Sequence, residues 1–139
     1  MSEVVSVRFP DEVVRRLREQ AAGTAEPVSA LAARLVDQGL RMDAHPGIVF
    51  RSGPSGWRAA VVAGPDVWET IGLIKSLDAT GVAAVEEAAA WLDLGEEQVR
   101  AALGYYGAFP DEIDAHITAN DAAAERAERA WHTQQALLG

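Results

Sequence analysis

The chain has 139 residues, of which 49% are hydrophobic, and carries a formal net charge of −9. That length allows one ordinary core or two small ones and argues against a single large enzyme domain. It contains no cysteine, which excludes a disulfide framework, a thiolate nucleophile and a zinc ribbon.

Charge is unevenly spread. Residues 1–42 balance six arginines against six acids, whereas residues 43–139 hold six basic residues against fifteen acids, so the second part carries the whole surplus. Such asymmetry predicts two modules with different partners. The N-terminal residues lack a basic-then-apolar signal pattern, and no apolar run approaches a membrane span. The expectation is a soluble cytoplasmic protein with no membrane partner.

In chain order, "VVSVRFP" (4–10) alternates with period two and ends at proline, which predicts a strand over Val4–Phe9. Val5, Val7 and Phe9 share one of its faces; Val4, Ser6 and Arg8 share the other. "DEVVRRLREQAAG" predicts a helix with Asp11 and Glu12 in its first turn, Val13, Val14, Leu17 and Ala21 as its apolar stripe, and Gly23 as its C′ residue. "TAEP" is a turn, and Ser29 is the expected N-cap of a second helix to Met42 that turns Leu31, Leu35 and Val36 inward. A lone strand leaves its backbone groups unpaired, and none follows for nearly forty residues. The economical partner is a second copy of the same strand in a two-fold dimer. The alternative is an edge strand of the second module.

"DAHPG" (43–47) marks a boundary. "IVFRSGPSGWRAAVV" predicts a hairpin around Gly53–Gly56, and Asp66 caps a helix carrying Val67, Trp68, Ile71 and Ile74. "VAAVEEAAAWLDLGEEQVRAALGYYGAF" predicts helix, tight turn at Asp93–Gly95, helix. Pro110 ends it, and a last helix runs from about Asp111 toward Leu138. Trp57, Trp68, Trp91, Tyr105, Tyr106 and Phe109 lie on apolar faces and are expected to be mostly core. Between Thr118 and Ala130 the only apolar residues are alanines, so this stretch buries little by itself. Arg126, Arg129, Trp131, Leu137 and Leu138, on "RAERAWHTQQALL", are residue types suited to a partner; a solvated helix with a dimer contact at Trp131 is the alternative. His45, His116 and His132 are dispersed, no metal-ligand spacing or phosphate-binding glycine motif occurs, and neither catalysis, metal nor cofactor is expected.

"VSVRFPDEVVRRLREQA" followed by "PVSALAARLVDQGLRM" resembles the ribbon-helix-helix fold of Arc, MetJ and CopG-type repressors, over about forty residues. In that family a two-stranded ribbon enters the major groove of double-stranded DNA. The resemblance implies that Val4, Ser6 and Arg8 face the bases, with Arg8 suited to guanine, and that Val28, Ser29 and Ala30 hold a phosphate at the start of the second helix. "HPGIVFRSGPSGWRAAVVAGPDVWETI", "LDLGEEQVRAALGYYGAFPDEIDAHI" and "NDAAAERAE" are similar to the family known as domain of unknown function 433, which includes VapB-type antitoxins. That similarity implies a helix-turn-helix-like module and a toxin partner, commonly a PIN-domain ribonuclease, with Arg126 or Arg129 facing the carboxylates that hold the toxin's metal. Glu96, Glu97 and Gln98 open the would-be recognition helix with only Arg100 nearby, which favours a protein-binding or scaffold role over DNA.

The expected organisation is mainly α: a ribbon-helix-helix dimerisation and DNA-binding domain over 1–42, an acidic helix-turn-helix-like domain with a β-hairpin over 43–120, and a helical tail over 121–139. The expected function is a non-enzymatic antitoxin, a homodimer or higher oligomer, that represses its own operon and neutralises a cationic toxin. A stand-alone ribbon-helix-helix regulator whose second domain oligomerises or senses a ligand is the alternative.

Overall fold

A computed structural model describes residues 2–139, with six helices and one two-stranded antiparallel sheet among them. The chain divides between Asp43 and Ala44 into two compact units.

In the first unit, residues 2–10 have no regular secondary structure, and α1 (Asp11–Thr24) and α2 (Val28–Ala44) follow. The strand expected over Val4–Phe9 is therefore not formed within the single chain. A strand is made by its ladder, and the two strands that are present pair with each other. The carbonyl of Pro10 accepts the Val13 and Val14 N–H groups at 2.9 and 3.1 Å and starts α1. Val13, Val14 and Leu17 are half-buried and Ala21 is buried, so the predicted stripe holds. Outside it, Arg15 pairs with Glu12 and, at 2.8 Å, with Glu19. Gly23 is not the helix terminator: α1 runs on to Thr24, and Ala25 takes the left-handed conformation at φ 54°. The Thr24 hydroxyl closes the last turn by donating to the Gln20 carbonyl at 3.0 Å.

Ser29 is likewise not an N-cap. The chain enters α2 at Val28, and the Pro27 carbonyl accepts the Leu31 N–H at 3.0 Å, which makes Ser29 the second helical residue. Leu31 is fully buried, but Leu35 and Val36 are 38% and 57% exposed rather than turned inward. α2 thus has two apolar sides, and one chain covers only one of them.

The second unit opens with β1 (Ile48–Gly53) and β2 (Gly56–Val61), paired from Ile48↔Val61 to Gly53↔Gly56. Gly56, at φ 101°, takes the left-handed position that a Cβ would strain. Then come α3 (Val67–Ser76), α4 (Gly81–Leu92), α5 (Glu96–Ala108) and α6 (Pro110–Leu138). Asp66 starts α3, with its N–H held by the Glu69 carboxylate at 3.2 Å. Ile48 and Val61 from the hairpin, Val67 and Ile71 from α3, Tyr105 from α5 and Ile113 from α6 form one cluster. Val85 and Ala88 of α4 with Val99 of α5 form a second, and Ile74 and Leu103 pack against both. Tyr105 is wholly buried, its ring 4.8 Å from that of Phe109 and its hydroxyl donating to Glu112 at 2.7 Å.

Trp57 and Trp91 depart from the expected core role, at 42% and 71% exposed. The buried stripe of α4 is Ala84, Val85, Ala88 and Ala89; the helical period continues its centre to the half-buried Leu92 and puts Trp91 at its edge. Trp57 sits beside the hairpin tip. α6 begins with Pro110 at its first position, where a missing N–H costs nothing. It continues unbroken to Leu138, so the tail expected from residue 121 is the distal part of one helix.

Lys75 on α3 reaches Asp114 on α6 at 2.7 Å, and Tyr106 on α5 donates to the same carboxylate oxygen at 2.9 Å. The Lys75 hydrogen bond, then that of Tyr106, holds the Asp114 carboxyl below its ordinary range, and the same bond raises the Lys75 ammonium. A carboxyl depressed in the folded state stabilises above its unfolded value, about 3.9, and loses that contribution as pH falls through its folded value. Asp114→Asn should therefore lower the thermal midpoint at neutral pH, and its gap from the parent should close as pH falls below about 4. Melting curves across that range provide the check.

Candidate nucleic-acid and partner interfaces

The residues expected to meet DNA fall into two groups in the first unit. Val4, Val5, Val7 and Phe9, with Ser29, Ala32, Ala33, Val36 and Leu40 of α2, line an apolar groove of about 780 Å³, whose acids are Glu3 and Asp37. Ser6 and Arg8 do not line it; both are exposed, and among the described residues Arg8 has no ion pair. Arg8 and Ser6 are thus separated from the apolar groove as the alternation requires, whereas Val4, grouped with them by parity, lines the groove with Val5 and Val7. Val4 is also the most exposed of these side chains, at 96%.

Val28, Ser29 and Ala30 come together at the start of α2. The first ladder bond is donated by Leu31, so the N–H groups of these three precede the ladder at the positive end of the helix. Beside them Glu26 is bound by Arg34 at 2.7 Å, and this bond holds its carboxyl below the ordinary range, with Thr24 adding to the effect. An incoming anion would meet the pair as a neutralised unit instead of a bare carboxylate.

In the second unit, α4 and α5 form the predicted helix, tight turn and helix. Asp93 takes the left-handed position at φ 53°, and the Leu94 N–H returns to the Ala89 carbonyl at 2.9 Å. Gln98 opens α5 together with Glu96 and Glu97, but unlike them it is a structural tie. Its Oε1 accepts the Gly95 N–H at 2.8 Å, and its Nε2 donates to the Val62 carbonyl at 3.0 Å, joining α5 to the hairpin exit. Glu96, Glu97 and Arg100 are exposed. The start of α5 therefore presents two carboxylates and has its amide committed inward, a poor surface for DNA. Gln98→Ala should destabilise this unit by about 1 kcal/mol and speed hydrogen exchange at Gly95. Both are measurable on the full chain by denaturant unfolding and amide exchange.

On α6, Arg126 and Arg129 are exposed and form no ion pair among the described residues. Trp131 is 55% exposed, Leu137 and Leu138 each 82%. The Trp131 ring lies 5.0 Å from that of His132, which is 3.6 Å from Glu128. The five residues singled out for a partner thus share one free-standing helical segment. Among the described residues no group of three or more histidine, aspartate or glutamate side chains could hold a metal ion, and no helix is long and apolar enough to cross a membrane. His45 packs edge-on to Tyr105 at 5.4 Å.

Two features had little or no signature in the sequence. One is the chain Arg58–Asp66–Trp68: Arg58 Nε is 2.8 Å from the Asp66 carboxylate, which accepts Trp68 Nε1–H at 3.2 Å. The Asp66-x-x-Glu69 spacing could have signalled the capping half of it; nothing in the spacing signalled Arg58. The other is a groove of about 570 Å³ between α3 and α6, bounded by Trp68, Glu69, Gly72, Lys75, Ile117 and Asp121 among others. Its two walls are far apart in the chain.

Comparison with protein-family models, curated proteins and solved structures yields no match.

Proposed function

We propose that two copies of the chain pair through their first units to read operator DNA, while the acidic second unit and its long helix engage a cationic toxin, as in a type II toxin-antitoxin pair. The toxin class that the resemblance implies is a PIN-domain ribonuclease. The observation that carries the dimer is the placement of exposed apolar side chains. Among the described residues, nine of the sixteen exposed large hydrophobic ones (Val4, Val5, Val7, Phe9, Val28, Leu35, Val36, Leu40 and Met42) lie in the first unit, whose described buried apolar residues are Ala21 and Leu31. Each such side chain contributes about 1.5–3 kcal/mol when fully removed from water, and a second copy supplies both that cover and the missing strand ladder.

Arg8 and Ser6 support the DNA role, since they are exposed, off the groove and uncommitted. The free N–H groups at Val28–Ala30 suit a phosphate. The acidic second unit suits a surface evolved to attract RNA, and Arg126, Arg129, Trp131, Leu137 and Leu138 stand on a helix segment that packs on little of its own chain.

Arg8→Ala should weaken operator binding by about 10–100-fold, the value of one bidentate base contact, while sedimentation still shows a dimer. Unchanged binding in a gel-shift titration removes the ribbon from the mechanism. Truncation after Asn120 should leave DNA binding intact and abolish rescue of cells co-expressing the adjacent toxin gene. Cells that survive with the truncated chain would favour a regulator that works without a toxin.

A further inference from the structure

The groove between α3 and α6 belongs to the second unit, and nothing above assigns it an occupant. One wall is the indole of Trp68, fixed by its bond to Asp66, which Arg58 in turn anchors. Glu69 stands on the α3 side and Asp121 on the α6 side; Gly72 and Ile117 form an apolar bottom. The Gly72 position has no side chain, and a Cβ there would only just touch Ile117, at 4.0 Å, so the space above it is open. Lys75, the single cation of the lining, is committed to Asp114 at 2.7 Å and lies 5.0 Å from the Tyr106 ring centre. Its charge is matched outside the groove, and the two lining carboxylates remain as the local surplus. Asp121 has no ion pair among the described residues, and Glu69 holds the Asp66 N–H through Oε2 alone.

We propose that this groove receives an arginine side chain from a basic protein partner, with the guanidinium against Trp68 and between Glu69 and Asp121. A planar guanidinium is the cation that matches all three features: it stacks on an indole face, it is weakly hydrated, and its fork of donors serves two carboxylates at once. A lysine ammonium is a hydrated point charge and would use the carboxylates without the ring. The proposal rests on the second unit being the half that binds a cationic protein, and it places a docking point on the folded body beside the distal helix. An arginine so held would fix the register of the partner along α6, because Ile117 and Asp121 lie where α6 leaves the core.

The test titrates the isotope-labelled full chain with N-acetyl-L-argininamide and, separately, N-acetyl-L-lysinamide, following the Trp68 indole and Gly72 amide resonances by NMR. The arginine compound should shift both saturably, and the lysine compound should bind about threefold more weakly. Glu69→Gln combined with Asp121→Asn should abolish the shift. Glu69→Gln keeps an oxygen acceptor for the Asp66 N–H, so an unchanged melting curve confirms that the fold is intact, and Asp121→Asn alone should halve the effect or more. Static Trp68 and Gly72 resonances, equal response to the two compounds, or a shift that survives the double substitution would each overturn the proposal. So would a Trp68 shift driven by protein concentration alone, which assigns the groove to a second copy. Neither operator nor toxin enters this experiment, so its failure is separable from failure of the antitoxin function.

Discussion

The first unit cannot close its own core. Its described residues give two helices, one fully buried leucine and a segment without regular structure with valines at positions 4, 5 and 7; were that segment a strand, it would have no ladder within the chain for its N–H and C=O groups. Desolvating Leu31 and Ala21 cannot by itself offset the conformational entropy of ordering some forty residues, which costs about 1–2 kcal/mol per residue for the backbone alone. The exposed faces of Leu35, Val36 and Leu40 are the other half of the same deficit. In the proposed dimer, association and folding are coupled in this half of the molecule, and the DNA-reading role proposed for Ser6 and Arg8 depends on that dimer.

The second unit meets a different constraint, since it must fold while strongly negative. Three of its six cations, Arg51, Arg58 and Lys75, are committed internally. Arg51 donates to the Val61 and Gly64 carbonyls at 2.8 and 2.6 Å, Arg58 pairs with Asp66, and Lys75 pairs with Asp114. Arg51 and Arg58 face each other across the hairpin, an arrangement that would repel if both heads were free. Turning one to carbonyls and the other to a carboxylate resolves it. The carboxylates left over, Glu86, Glu87, Glu96 and Glu97 among them, lie on the exposed sides of α4 and α5. This surface favours basic partners and opposes phosphates. The distal part of α6 holds its form differently, through alanines and other good helix formers that need little tertiary burial.

Periodicity was sufficient for elements whose stripe is regular. Val13, Val14, Leu17 and Ala21 recur at helical spacing and mark the inner face of α1. It was insufficient for α2, where Leu31, Leu35 and Val36 look alike as hydrophobic residues and only packing separates the buried one from the exposed two. Residue type alone does not place a helix cap. Ser29 and Gly23 have the right chemistry, yet Pro27 fixes the entry two residues earlier and Ala25 accepts the left-handed conformation. Aromatic residues were a weak guide for a related reason: Trp91 looks like core until the α4 stripe of alanines is placed in three dimensions. Lys75 and Asp114, 39 residues apart, leave no local trace at all, so the α3–α6 groove could not be read from the chain.

One carboxylate links these separate devices. Asp66 is 8% exposed, which is unfavourable for a charge unless it is paired and hydrogen-bonded. Two neighbours answer that need, the Arg58 guanidinium from β2 and the Trp68 indole N–H from α3, while the Glu69 carboxylate accepts the backbone N–H of the same residue. Its backbone also bridges to Ala60, and the Pro65 carbonyl before it accepts the Val61 N–H at 2.9 Å. The hairpin exit and the start of α3 are therefore one joint, and removing the Asp66 charge would release Arg58 and Trp68 together. The same bond that makes the buried carboxylate tolerable also fixes the orientation of the indole wall, so the groove's shape follows from a requirement of folding. Glu69 is shared in the same way, holding the cap with one oxygen while its side chain borders the groove.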